Sequence, residues 1–186
     1  DDDGDGYDDI LVGAWASGDG AEYHRGSSYI VWGGDGDLTT DLASLGDKGL
    51  EIIGTERGAF TGYTIDGAGD VNSDGYDDFI IGADGTDEVG NDSGVSYLIY
   101  GADRTDLGAS IIDLETLALD SRGFKISGEA AEDKAGISVA GLGDVNGDGF
   151  DDILIGAFYN GDTDGGASYL IYGDDASSLG DIDLGS

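Results

Sequence analysis

The sequence predicts an all-β protein built from repeated four-stranded units, and three observations support that fold class. An acidic string that runs into apolar residues occurs three times, at 1–14, 70–83 and 144–157. A β-branched and aromatic segment follows each copy, at 27–33, 95–101 and 167–173. Residues 49–70 also align without gaps on residues 123–144. Repetition on this scale indicates one structural unit that is used several times.

Each complete unit contains four short strand candidates, which we name A, B, C and D. They lie at 62–68 and 136–142 (A), at 79–83 and its equivalents (B), at 95–100 and its equivalents (C), and at 50–54 and 124–128 (D). Strand B is a continuous apolar run, which is typical of a strand buried on both faces. Strand C is β-branched and aromatic and is bounded by glycine. No segment predicts a long helix, and 110–119 is expected to form a helical turn.

Four-stranded antiparallel units repeated at this length are typical of β-propeller blades. The chain starts inside an A–B connection and stops after a strand C, which predicts ten strands in about three blades, with both end blades incomplete. The approximate blade units are 1–54, 55–128 and 129–186. Propellers typically close with about four to eight blades. We therefore expect either a piece of a longer chain or self-association through the open blade edges.

The charge balance excludes several classes of partner and chemistry. The 186 residues include 7 basic and 41 acidic ones, and the formal net charge of −34 would repel nucleic-acid phosphates and anionic membranes. No stretch approaches the roughly 20 apolar residues of a spanning helix, so no membrane insertion is expected. The absence of cysteine excludes zinc-thiolate sites and thiol nucleophiles. The single histidine, His24, falls in a loop and no catalytic motif accompanies it, so no enzymatic activity is expected.

The acids follow a pattern that indicates metal binding. Counted from its first acid, each acidic loop has a carboxylate or amide at positions 1, 3, 5 and 9, glycine at position 6 and an aromatic residue at position 7. Alternate oxygens can surround a hard cation, and the glycine allows the turn that brings the position 7 carbonyl inward. The predicted ligands are Asp1, Asp3, Asp5, Tyr7 and Asp9 in loop 1; Asp70, Asn72, Asp74, Tyr76 and Asp78 in loop 2; and Asp144, Asn146, Asp148, Phe150 and Asp152 in loop 3.

Calcium fits this pattern better than magnesium, because calcium takes about six to eight oxygens in a flexible geometry. An EF-hand is excluded, since position 12 is Val12, Ile81 or Ile155 inside a strand rather than a bidentate glutamate. Without a cation, ten carboxylates would be brought together unfavourably. We therefore expect about three calcium ions, one per A–B loop. The aspartates at position 8 are expected to lie outside the ligand set: Asp8, Asp77 and Asp151.

The sequence resembles the FG-GAP repeats of integrin α-subunit propellers and their bacterial relatives. The resemblance rests on the D-x-[DN]-x-D-G-x-x-D loops and on the Gly-Ala pairs that end strand B at 13–14, 82–83 and 156–157. It extends over essentially the whole chain. It implies a β-propeller with calcium in the A–B loops and an adhesion or ligand-binding role outside the cell or on its surface.

Two function classes follow from these expectations. The first is a calcium-binding extracellular module that binds a protein or glycan ligand, and the alternative is a structural subunit of a self-assembling extracellular fibre or surface layer. In an antiparallel meander the B–C and D–A connections lie opposite the calcium loops, so a partner is expected on that face. Trp15, Phe158 and Tyr159 are candidates there, either for partner contact or for packing between blades.

Overall fold

The computed structural model describes residues 1–17, 24–34, 41–107, 111–117, 122–160, 165–175 and 179–185. Its strands are β1 Ile10–Ala14, β2 Ser27–Val31, β3 Gly49–Ile53, β4 Thr64–Gly69, β5 Asp78–Ala83, β6 Val95–Ile99, β7 Ile111–Asp113, β8 Gly123–Ser127, β9 Ala135–Gly143, β10 Asp152–Ala157, β11 Ala167–Ile171 and β12 Ile182–Asp183. A 3₁₀ turn at Leu42–Ser44 and a four-residue helix, α1 at Arg104–Leu107, lie between them. Within these ranges, no helix has both the length and the apolar character needed to cross a membrane.

Three sheets carry the repeated units. Their strand orders are β1-β2-β3-β7, β12-β8-β6-β5-β4 and β11-β10-β9. In the second sheet, β4, β5, β6 and β8 are strands A to D of one blade, and each consecutive pair is antiparallel. The first sheet supplies strands B, C and D, and the third supplies A, B and C. The prediction of an all-β protein with incomplete propeller blades is confirmed.

Two short strands depart from the prediction. A helical turn is predicted over 110–119. Residues 111–113 of that segment instead form β7, residues 114–117 form a hydrogen-bonded turn, and 110, 118 and 119 lie outside the described residues. Ile112 is fully buried between the exposed Ile111 and Asp113, which is the alternation of a strand. β7 pairs in parallel with β3, and β12 pairs in parallel with β8. The outer edge of both D strands is therefore covered, which pairs backbone groups that an open edge would expose.

Two hydrophobic cores hold the three sheets together. The core between the first and second sheets contains Phe79 and Ile81, and the core between the second and third contains Ile80. These three residues are consecutive in β5, and all six residues of that strand are buried. The central B strand thus contributes side chains to both cores, as its continuous apolar sequence predicts.

Neighbouring sheets approach closely at the glycine near the end of strand B. A Cβ atom on Gly82 would lie 1.9 Å from the carbonyl oxygen of Gly136, and one on Gly13 would lie 2.2 Å from that of Gly62. Both acceptor glycines belong to the following repeat. Because rigid backbone occupies this space, a side chain at either position would push the sheets apart. This contact gives a physical reason for the glycine near the end of strand B in the first two repeats.

Candidate metal centre

The three acidic loops precede β1, β5 and β10 and share one hydrogen-bond scaffold. The position 1 carboxylate accepts from the position 6 amide: Gly6 N to Asp1 Oδ2 at 3.0 Å, Gly75 N to Asp70 Oδ2 at 2.9 Å and Gly149 N to Asp144 Oδ2 at 2.9 Å. The position 3 side chain accepts from the position 5 amide: Asp5 N to Asp3 Oδ1, Asp74 N to Asn72 Oδ1 and Asp148 N to Asn146 Oδ1. The position 5 carboxylate accepts from the position 7 amide: Tyr7 N to Asp5, Tyr76 N to Asp74 and Phe150 N to Asp148. Each loop therefore fixes its oxygens in the same order.

The aspartate at position 9 anchors each loop to the sheet. Its two oxygens accept from the position 2 amide and from the glycine after strand C: from Asp2 and Gly33 for Asp9, from Val71 and Gly101 for Asp78, and from Val145 and Gly173 for Asp152. Asp78 and Asp152 are fully buried. Burial raises the pKa of Asp78 to about 8, against the opposing effect of its two backbone hydrogen bonds. A nearby cation would stabilise the charged form.

The loops turn through the left-handed backbone region at two positions. Position 6 is glycine in every loop, with φ between 89° and 97°. Position 4 also has positive φ, at 71° in Gly4, 56° in Ser73 and 81° in Gly147. The glycine present at position 6 of every loop predicts the turn there. The turn at position 4 is not predicted by the sequence, because loop 2 has serine at that position.

Loop 1 brings its carboxylates closest together. Oxygens of Asp1, Asp3 and Asp9 all lie within 4.8 Å of one another. The Asp1 Oδ1 atom is buried and has no hydrogen-bond partner among the described residues. An unpaired buried oxygen beside two further carboxylates is unfavourable without a cation. Carboxylate and carbonyl oxygens are donors that calcium prefers, and loops 2 and 3 add an asparagine oxygen, so these residues fit a calcium ion.

Arg104 contacts loop 1, although local sequence patterns do not reveal this contact. Its guanidinium forms ion pairs with the carboxylates of Asp3 and Asp5, the second at 2.7 Å, although about 100 residues separate them. The guanidinium also lies 5.5 Å from the ring centroid of Trp32. The Asp3 side chain is fully buried. Loop 1 has an aspartate at position 3 where the other loops have asparagine, and Arg104 offsets that additional charge.

The aromatic candidates on the opposite face fall into two groups. Trp15 packs edge-on against His24, Phe60 and Tyr63, with ring centroids 5.8–6.1 Å apart. Phe60 and Tyr63 belong to the following repeat, so Trp15 packs between blades. Phe158 occupies the equivalent position in the third repeat, where its side chain is 60% exposed and its ring lies edge-on to that of the exposed Tyr159.

These sheets and loops define a β-propeller repeat protein whose A–B connections carry acidic loops. Residues 61–99 and 135–171, in the second and third repeats, match the family model described as FG-GAP repeat. Two of the three repeats are therefore FG-GAP repeats, and the resemblance seen in the sequence is confirmed.

Integrin alpha subunits are similar to most of this chain. Over 92% of this chain, the sequence is 29% identical to integrin alpha pat-2 of Caenorhabditis elegans. Over 84% of this chain, it is 34% identical to integrin alpha-7 of Rattus norvegicus. It is also 33% identical to integrin alpha-5 of Xenopus laevis over 72% of its length. The chain spans only 12–13% of the length of these relatives. None of these three is named as a fibre or surface-layer subunit, so they lend no support to that alternative.

Proposed function

We propose that this chain is part of a calcium-binding extracellular β-propeller that binds a protein or glycan ligand without catalysing a reaction. The observation that carries the proposal is the common hydrogen-bond scaffold of the three loops, which presents oxygens at positions 1, 3, 5 and 9 each time. The similarity to integrin alpha subunits supports a role at the cell surface or outside the cell.

One calcium ion would be held by each loop. In loop 2 the proposed ligands are the side chains of Asp70, Asn72, Asp74 and Asp78 and the carbonyl of Tyr76, and loops 1 and 3 use the equivalent residues. The ion would supply positive charge to carboxylates that otherwise repel one another. Because position 9 is hydrogen-bonded to the end of strand C, an ordered loop also stabilises its blade.

A calcium titration of the purified chain tests this proposal. Isothermal titration should show about three sites, and chelation should lower the melting temperature because bound calcium stabilises the folded state. Asp148→Ala removes a position 5 ligand and should abolish one site. Asp113→Ala, an exposed aspartate on β7, is the matched control and should leave all sites. Absent binding heat together with an unchanged melt in chelator would refute the calcium proposal.

The partner surface is proposed on the face opposite the calcium loops. Phe158 and Tyr159 are exposed aromatic residues there and are suited to partner contact, whereas Trp15, also 43% exposed, packs against the following repeat. Panels of immobilised glycans and extracellular proteins would identify a ligand. Phe158→Ala should then weaken binding with little change in the melt, whereas Trp15→Ala should lower the melting temperature because it removes packing between blades. Unchanged binding by Phe158→Ala would place the interface elsewhere.

A further inference from the structure

The aspartate at position 8 lies outside the proposed ligand set, and in two repeats its carboxylate reaches the preceding loop. Asp151 Oδ2 accepts a hydrogen bond from the backbone nitrogen of Asp70 at 3.0 Å. Asp77 Oδ2 also lies 3.0 Å from the nitrogen of Asp1, which is the terminal ammonium group of this sequence, so that contact is an ion pair. Asp70 and Asp1 both occupy position 1. The same carboxylate oxygen therefore contacts the same loop position in both pairs of repeats.

Loops 2 and 3 make further direct contacts. The backbone nitrogen of Asp151 donates to the carbonyl oxygen of Asp70 at 3.2 Å, so Asp70 is held through both its nitrogen and its carbonyl. The Ser73 hydroxyl donates to the Gly149 carbonyl at 2.9 Å. Position 1 and position 4 of loop 2 are thus both bonded to loop 3.

Gly69 makes room for this contact. A Cβ atom at Gly69 would lie 1.9 Å from Asp151 Oδ2, and the residue has φ of 69°, a conformation that disfavours side chains. A side chain at this position would have to displace the Asp151 carboxylate, so the glycine before loop 2 favours the contact.

We infer that Asp151 couples calcium binding in loops 2 and 3, an inference that rests on the proposed calcium loops. Asp151 lies between Phe150 and Asp152, two proposed ligands of loop 3, while its carboxylate holds the backbone of Asp70, a ligand of loop 2. A cation that orders loop 3 also orders the group that positions Asp70. Less conformational entropy then remains to be lost when loop 2 binds its own ion. By thermodynamic linkage, calcium bound in loop 2 strengthens calcium binding in loop 3 by the same factor. Asp151 is thus a positioning residue for its neighbour's site.

A double-mutant cycle followed by NMR tests the coupling. The Gly75 amide donates to the Asp70 carboxylate, so its resonance reports calcium binding in loop 2 of the full chain. Asp148→Ala disables loop 3 and should weaken calcium binding at Gly75 by about fivefold to tenfold, within the usual range of site coupling. In the Asp151→Ala background, Asp148→Ala should weaken the loop 2 affinity much less, because only the backbone and Ser73 contacts between the loops remain. Asp151→Asn keeps an acceptor oxygen and should retain the coupling.

Asp8→Ala is the matched control, because Asp8 has the same loop position and charge but no equivalent contact within the described residues. It should leave the coupling between loops 2 and 3 intact. An equal effect of Asp148→Ala with and without Asp151 would overturn the inference, as would no effect in the otherwise unmodified chain. A Gly75 resonance that ignores calcium in the unmodified chain would instead refute the calcium proposal itself.

Discussion

Replacing Arg104 by glutamine tests whether this side chain and calcium act as alternative cations for loop 1. The guanidinium pairs with Asp3, whose side chain is fully buried, and with the partly exposed Asp5. Glutamine retains hydrogen-bonding groups and removes the charge. In chelator the variant leaves a buried carboxylate uncompensated, whereas with calcium the ion supplies the missing positive charge.

The expected magnitude follows from the burial of the two partners. Removing one member of a fully buried pair destabilises a protein by about 3–5 kcal/mol. The Arg104 side chain is 41% exposed, so solvent screening reduces the expected loss to about 1–2 kcal/mol in chelator. For a domain of this size that corresponds to a decrease of roughly 3–6 °C in melting temperature. With saturating calcium the loss should shrink to about 0.5 kcal/mol or less, the size of ordinary surface substitutions.

Urea unfolding in chelator and in calcium measures both quantities. By linkage, a variant that calcium stabilises more than the unmodified chain must also bind calcium more tightly, which titration can verify. Arg25→Gln, which removes the same charge from an exposed position before β2, should show no such difference between conditions. Equal destabilisation of Arg104→Gln in both conditions would show that the ion pair is independent of the metal. No destabilisation in chelator would show that the pair contributes nothing.

Two further predictions test the stacking of the sheets and the covered strand edge. Gly82→Ala should destabilise the chain by about 1–3 kcal/mol in urea unfolding, because its Cβ would meet backbone of the next repeat. Gly67→Ala, with no heavy atom within 4 Å of the added Cβ, should change stability by less than about 1 kcal/mol, and a similar loss in both variants would contradict the stacking argument. Ile112→Ala should cost about 2–5 kcal/mol because the side chain is fully buried on β7. Ile111→Ala, half-exposed on the same strand, should lose far less, and equal losses would argue against this strand in solution.

Local sequence predicts the repeated strands well because their signals lie in consecutive residues. The apolar run of β5 and the β-branched run of β6 indicate strands whatever the surrounding structure, and both appear within one or two residues of the expected bounds. The same holds for the acidic loops, since the spacing of their oxygens within nine residues determines which groups can converge.

Contacts between repeats escape such reasoning. β7 has only three residues, and its parallel partner β3 lies some 60 residues earlier, so neither its length nor its local pattern separates it from a turn. Trp15 shows the same limit: its sequence position does not reveal that its ring contacts Phe60 and Tyr63 of the following repeat while the residue stays 43% exposed.

The sequence by itself determined the repeat, the order of strands within a blade and the spacing of oxygens in each acidic loop. These properties depend on residues close together in the chain, where periodicity and turn chemistry act directly. Only the tertiary structure decided which charges compensate one another and how the loops are joined. Arg104 reaches loop 1 from about 100 residues away, and Asp151 holds Asp70 across 81 residues. The stacking of the blades creates those pairs, because it brings together side chains that no local pattern relates.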